Sequence, residues 1–357
     1  MTRDVSQSGV PKVVSITFGT EGLIRTRCPD EVSITFRTGS LARPVLRGDG
    51  STGDLMGRPL RMFEPRGIYL ATVRCFQGRS LLRPSTETNA VLGGVLARSV
   101  RLSGVELFAF HVASNHIHLL LRAPHGNLPS FMQHFLTNAS KKLGPLIDWR
   151  GTFWERRYSA EPVLDDTALL GRVRYVLSHP VKDGLLRTCA EWPGLSSLAQ
   201  MVDGQPRVFP WFNWTRRSAS TSALAQARFA DRWSEREELR LAPLPLAGLQ
   251  VKRFLRSAIR AIEAEGIRNF CRVLGRAGIL RQHPHHRPAR AARSPRPPCH
   301  TSLRQLLEAF LEEYRAFADA FRKASARWKA GDLLARFPER AFRPFLWPVS
   351  SQLSALG

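Results

Sequence analysis

Two apolar runs, residues 105–112 and 116–121, are separated by only three residues, Ala113-Ser114-Asn115. Each run has the length and apolar content of a strand, and so short a link turns the chain straight back on itself, so the two runs are expected to be antiparallel strands. Regular elements surround them. Residues 67–75 predict a strand, and residues 88–102 a helix with Val91, Leu92, Val95, Leu96 and Val100 at helical spacing. A second helix is expected over 128–143, with Leu128, Phe131, Phe135, Ala139 and Leu143 as its apolar stripe and Gly144-Pro145 as its end. Residues 161–164 suggest a short fourth strand. Asp165 or Asp166 then caps a helix carrying Leu169, Leu170, Val173, Val176 and Leu177, which is expected to stop before Pro180.

The order β-α-β-β-α-β-α implies an α+β fold, a ferredoxin-like antiparallel sheet with helices on one face, within a domain of residues 66–200. The flanks carry weaker signals. Residues 1–65 mix short β-like runs with Gly, Pro and Arg and read as a poorly ordered extension, in which Ser-Ile-Thr-Phe recurs at 15–18 and 33–36. Residues 201–280 hold an aromatic, turn-rich patch from Phe209 to Trp214 and two expected helices, 222–241 and 249–274, and so read as a helical accessory region. Residues 281–300, rich in Pro and Arg and without an acid, read as a basic linker. Residues 301–357 form a C-terminal helical region with an amphipathic helix pair over 302–337.

With 53 Lys+Arg against 29 Asp+Glu, the 357-residue chain carries a formal net charge of +24, which points to a polyanionic partner. Only seven of the basic residues are lysine, and such an arginine skew also arises from GC-rich coding, although that does not explain the shortage of acids. At 43% hydrophobic residues the chain can bury a sizeable core, which excludes wholesale disorder. Its five cysteines lie far apart with no C-x-x-C spacing, so neither a disulfide framework nor a zinc ribbon is indicated, and a reducing compartment fits best. No apolar run reaches the ~18 to 20 residues of a membrane span, and the first residues are polar. A cytoplasmic protein is expected.

Asn115-His116-Ile117-His118-Leu119-Leu120-Leu121 carries the sharpest chemical signal. Alternate strand residues share a face, so His116 and His118 project together, and two neutral imidazoles a pleat apart can bind one divalent ion. A half-buried strand with two satisfied histidines produces the same pattern. Tyr175 and His179 lie four apart on the last helix and share its face, offering a nucleophile and a third ligand. An amphipathic core tyrosine with its hydroxyl at the surface is the plainer reading of Tyr175. On the helix 128–143, Gln133, His134, Asn138, Lys141 and Lys142 form the polar side, which is either a solvated face or a phosphate contact.

Together these residues resemble the single-tyrosine HUH transposases, in particular the REP-associated, IS200-like branch. The family's Met-Pro-Asn-His-x-His strand is matched by Ala113-Ser114-Asn115-His116-Ile117-His118, and its Trp-x-Arg-Arg-Tyr by Trp154-Glu155-Arg156-Arg157-Tyr158. Its Tyr-Ile-x-x-Asn-Pro-Val-x-x-Gly-Leu is matched by Tyr175-Val176-Leu177-Ser178-His179-Pro180-Val181-Lys182-Asp183-Gly184-Leu185, and its Trp-Ser-Ser close by Leu195-Ser196-Ser197. The resemblance covers residues 66–200 and implies an HUH nuclease domain. It further implies that His116, His118 and the residue at position 179 hold a divalent ion, Mg²⁺ or Mn²⁺, and that Tyr175 is the nucleophile. His179 stands where the family usually has Asn or Gln, a change that favours ions such as Mn²⁺, Zn²⁺ or Ni²⁺.

The activity so implied is cleavage and rejoining of single-stranded or hairpin DNA through a 5′-phosphotyrosine, an endonuclease and strand-transferase chemistry that needs no ATP. Arg156, Arg157, Tyr158, Asn138, Lys141 and Lys142 are the expected DNA contacts. Tyr158 is the rival nucleophile, disfavoured because no ligand lies one turn away. The expected setting is the bacterial nucleoid, with the active unit either a single chain or a homodimer. A catalytically silent nucleic-acid-binding protein that keeps the fold is the alternative. A metallophosphoesterase of small substrates is disfavoured by the positive charge and by the lack of a carboxylate-rich cluster. Cys271, His283, His285, His286, Cys299 and His300 match no zinc-finger spacing, and their stretch reads as a DNA-gripping linker.

Overall fold

The computed structural model describes residues 60–213, 233–288 and 297–341. The Ser-Ile-Thr-Phe repeat lies outside them. Strands β1 (Ile68–Arg74), β2 (Glu106–Val112), β3 (His116–Arg122) and β4 (Ser159–Val163) form one antiparallel sheet in the order β2-β3-β1-β4. This is the ferredoxin-like order expected when a β-α-β-β-α-β chain places its first strand centrally.

Helices α1 (Thr86–Ser103) and α2 (Leu128–Leu146) cover one face, where Tyr69, Ala71 and Val73 of β1 meet Leu92, Leu96, Phe131 and Phe135. Helix α3 (Asp166–Lys182) covers the other face, packing Leu169, Val173, Val176 and Leu177 against Leu70, Phe108, Leu120 and Val163. The helices therefore lie on both faces and not on one. The reason is visible in the strands, because Leu107–Val112 and Ile117–Leu121 are buried without interruption, which requires cover on both sides.

The register of β2 against β3 shifts between Leu107 and Ala109. Leu107, Phe110 and Val112 belong to the α1/α2 core, while Phe108 and Ala109 both belong to the α3 core. A bulge of this kind reverses the facing of every later side chain, so His111 lies on the α3 side.

Asp165 caps α3 by accepting from the Ala168 N–H at 2.8 Å. Pro180 does not end the helix, which continues to Lys182. In the last turn a proline forfeits only one backbone bond, and the Pro180 carbonyl is taken up by the N–H groups of Leu185 and Leu186. Pro145 is accommodated in the same way in the last turn of α2.

Beyond the sheet, β5 (Arg207–Phe212) and β6 (Ser234–Leu239) form an antiparallel hairpin against α1. A Cβ on Gly94 would sit 2.1 Å from the Pro210 carbonyl oxygen, so only glycine allows this approach. The expected helix over 222–241 is thus replaced by strand at its described end, residues 214–232 being outside the description. Ser-Glu-Arg-Glu-Glu-Leu has helical propensity, but Glu235 and Glu237 pair with Arg98, and Glu237 also with Arg101, at 2.7 to 2.8 Å. Tertiary ion pairing overrides the local preference here.

Helices α4 (Leu198–Asp203), α5 (Val251–Asn269), α6 (Gly275–Leu280) and α7 (Arg304–Lys329) follow. α5 buries Leu255, Ala258, Ile262 and Gly266 against α3. α7 is one long helix where a pair was expected. Cys75, Cys189 and Cys299 are buried free thiols, whereas Cys271 is disulfide-bonded. Among the described residues no helix is long and apolar enough to cross a membrane.

Candidate metal and nucleophile site

His116 and His118 stand on the α3 side of β3, opposite Arg74 and Thr72 of β1. Their ring centres are 4.8 Å apart, and that of His179, from α3, lies 4.3 Å from His118 and 5.1 Å from His116. One donor atom from each of the three falls within 4.8 Å of the others. Neighbours orient two of the rings. His118 Nδ1 is 2.8 Å from Thr72 Oγ1, and His116 Nδ1 donates to Asn115 Oδ1 at 2.7 Å, which leaves the Nε2 atoms as the ligating positions.

Burial holds all three imidazoles neutral. It lowers His116 to about 4, with Asp183 partly opposing the shift, and pushes His118 and His179 well below the ordinary histidine value, where the neighbouring rings and Lys182 add to the effect. Neutral imidazoles present lone pairs to a cation. Neither ring nitrogen of His179 has a hydrogen-bond partner, although Asp183 lies 3.6 Å from Nδ1. An unpartnered buried polar atom costs about 1 to 3 kcal/mol, so the His179 nitrogens, beside the His116 and His118 rings, suit a divalent ion that takes up a lone pair. The residues present fit that group.

Tyr175 lies one helical turn before His179, its ring centre 4.9 Å from that of His179 and 5.4 Å from that of His118. The Arg172 guanidinium and the Lys182 ammonium stand 5.0 and 5.2 Å from the centre of the phenol ring. Tyr175 is half-buried, so its hydroxyl can meet a substrate.

Residues 74–178 match the family model described as "Transposase IS200 like". Over this segment the chain is similar to the IS200-like transposases. The chain is also similar to a solved REP-associated tyrosine transposase bound to a REP hairpin, at 20% identity over 42% of this chain and 86% of that one, with a TM-score of 0.36. A second similar structure, of a protein assigned as a transposase from Deinococcus radiodurans R1, is 20% identical over 32% of this chain and 93% of that one, with a TM-score of 0.25. Neither likeness adds to what the sheet order and the family match establish. No curated protein matches the chain.

Within this domain the expected DNA contacts divide. Arg156, Arg157 and Lys141 are exposed. Glu155 donates its backbone N–H to the Arg74 carbonyl, so the segment carrying both arginines runs beside the His116 end of β1. Tyr158 is corrected to a core residue: it is 8% exposed and covered by the Arg61 guanidinium, 3.7 Å above its ring. Lys142 is half-buried. Its ammonium donates to the Phe212 carbonyl at 2.6 Å and lies over Trp211, and burial lowers its pKa to about 8. Asn138 donates to the His134 carbonyl, and α2 packs on the sheet face opposite the histidines.

Sequence reasoning missed His111. Counting alternate residues along an unbroken β2 places His111 on the same side as Leu107, facing α1 and α2, and no local pattern marks the bulge that turns it over. Leu195-Ser196-Ser197, the last family motif, runs along the outer edge of β2, with bonds from Val112 N–H to the Leu195 carbonyl and from Ser197 N–H to the Phe110 carbonyl.

Proposed function

We propose that this protein is a transposase that cuts and rejoins single-stranded, hairpin-forming DNA, with Tyr175 as nucleophile and a divalent ion held by His116, His118 and His179. The observation that carries the reading is the continuous last turn of α3, which sets Tyr175 and His179 together over the paired histidines of β3. One chain supplies all four groups, so the site is complete without a second copy.

When bound, the ion supplies charge neutralisation and polarisation at the scissile phosphate. Thr72 and Asn115 hold the ligand rings in place. Tyr175 Oη attacks phosphorus, the phosphorus–O3′ bond breaks, and the departing 3′ oxygen takes a proton, leaving a 5′-phosphotyrosine and a free 3′-hydroxyl. The Arg172 and Lys182 cations flank the phenol ring and lie close to the negative charge of the reacting phosphate. Attack by a 3′-hydroxyl reverses the step and rejoins DNA. Arg253, Arg256 and Arg260 on the outward side of α5 line a surface cleft that suits the phosphate backbone. Such a role is in keeping with a nucleoid setting.

Incubation of the protein with a hairpin oligonucleotide and Mn²⁺ tests this. A 3′-labelled strand should yield a labelled covalent adduct, a 5′-labelled strand should not, and Tyr175→Phe should abolish the adduct. Adduct retained by Tyr175→Phe overturns the nucleophile assignment. Hairpin binding indifferent to both EDTA and Tyr175→Phe, with no adduct, favours a silent DNA-binding protein.

A further inference from the structure

The bulge in β2 turns a fourth histidine toward the three proposed ligands. His111 pairs directly with His118 across β2 and β3, and directly opposed residues share a sheet face with Cβ atoms about 5 Å apart. Its ring lies 5.3 Å from that of His179 at an interplanar angle of 14°, just outside the three whose donor atoms gather within 4.8 Å. It is completely buried, and neither Nδ1 nor Nε2 has a hydrogen-bond partner. Trp192 covers it at 5.0 Å but donates its own N–H to the Val112 carbonyl at 3.1 Å. A neutral imidazole always carries one N–H and one lone pair, so packing alone leaves this residue with an unsatisfied donor and an unsatisfied acceptor that a phenylalanine would avoid.

We propose that His111 is a fourth nitrogen donor of the metal centre, making an all-imidazole set with His116, His118 and His179 that selects a transition ion such as Co²⁺, Zn²⁺ or Mn²⁺ over Mg²⁺. The proposal rests on the reading of the other three histidines as ligands. Its chemical basis is that imidazole nitrogen suits transition ions, whereas Mg²⁺ takes oxygen ligands and retains its waters. Asp183 lies 3.6 Å from His179 Nδ1 and faces it from the end of α3.

Co²⁺ titration of the chelator-treated full-length protein tests the proposal, read by the d–d absorption of the bound ion and by competition with a chromophoric chelator. Wild type is expected to bind one Co²⁺. His111→Phe, which keeps a ring of similar size, is expected to change the spectrum and weaken binding by at least ~10-fold, with its metal-free melting temperature showing that it folds. His118→Ala is expected to lose binding. If His111→Phe keeps both spectrum and affinity while His118→Ala loses them, His111 is a packing residue and the proposal fails with the three-ligand reading intact. If His118→Ala also binds normally, the three-ligand reading fails. Should His111→Phe not fold, His111→Gln, which replaces an imidazole by an amide, is expected to lower the preference for Co²⁺ over Mg²⁺, and an unchanged preference overturns the proposal.

Discussion

The imidazole of His118, on β3, stacks 4.3 Å from that of His179, on α3, at an interplanar angle of 24°. Contact between a strand and a helix so distant in sequence would set the donor character of the proposed centre. Replacing His179 with Asn exchanges a nitrogen donor for an amide oxygen, which suits Mg²⁺ better. Adduct formation by His179→Asn should therefore gain in Mg²⁺ relative to Mn²⁺. An unchanged ratio of the two rates would show that position 179 does not touch the ion.

Lys182 approaches the Tyr175 ring from the C-terminal end of α3 while its ammonium also pairs with Asp183 at 2.8 Å. Removing the charge by Lys182→Gln should slow single-turnover adduct formation by ~10-fold or more, because a cation beside a developing anion acts mainly on the transition state. Hairpin affinity, measured by gel shift, should change far less. Equal losses in affinity and rate would assign Lys182 to binding.

Burial keeps His111 neutral in the fold down to about 3 and His116 down to about 4, against an ordinary value of 6.5, and lowers His118 and His179 in the same direction. Between those values the unfolded chain binds more protons than the folded one, so stability rises with pH through this window. It is fully present above about pH 6.5 and is lost as the pH falls toward 4 and 3. Urea midpoints of the chelator-treated protein, taken from about pH 4 to about pH 7, should climb steadily, and a flat profile would contradict the buried neutral cluster.

The β5–β6 hairpin reaches α1 because Gly94 has no side chain in the path of the Pro210 carbonyl. Gly94→Ala should cost about 1 to 3 kcal/mol, as overpacking does, despite alanine's better helix propensity. Chemical denaturation measures this directly. A stabilised variant would mean that the hairpin moves away without loss.

Arg253, Arg256 and Arg260 are exposed along one side of α5. If each meets a phosphate of single-stranded DNA, replacing all three with Gln should reduce the slope of log affinity against log salt by about 2. An unaltered slope would place the DNA elsewhere.

His116, His118, Tyr175 and His179 are legible in the sequence because each pair obeys a local period: two residues along a strand, four along a helix. The elements that carry them are legible for the same reason, as are an aspartate cap at 165 or 166 and the ordering of strands and helices through 163. The errors share another origin. Ser234–Leu239 takes strand form because Arg98 and Arg101 of α1 stand ready to receive its glutamates. Tyr158 is withdrawn from the surface because Arg61 folds over it. His111 enters the site because one residue bulges out of register. None of these depends on residues adjacent in sequence.

The sequence by itself determined which side chains could act and the elements on which they ride, since period and capping depend on residues a few positions apart. Only the tertiary structure decided that α3 would lie across the sheet from α1 and α2 and bring His179 onto His118. Burial of strands that are apolar on both faces required cover on each, and α3 is the element that provides it on the side of the histidines.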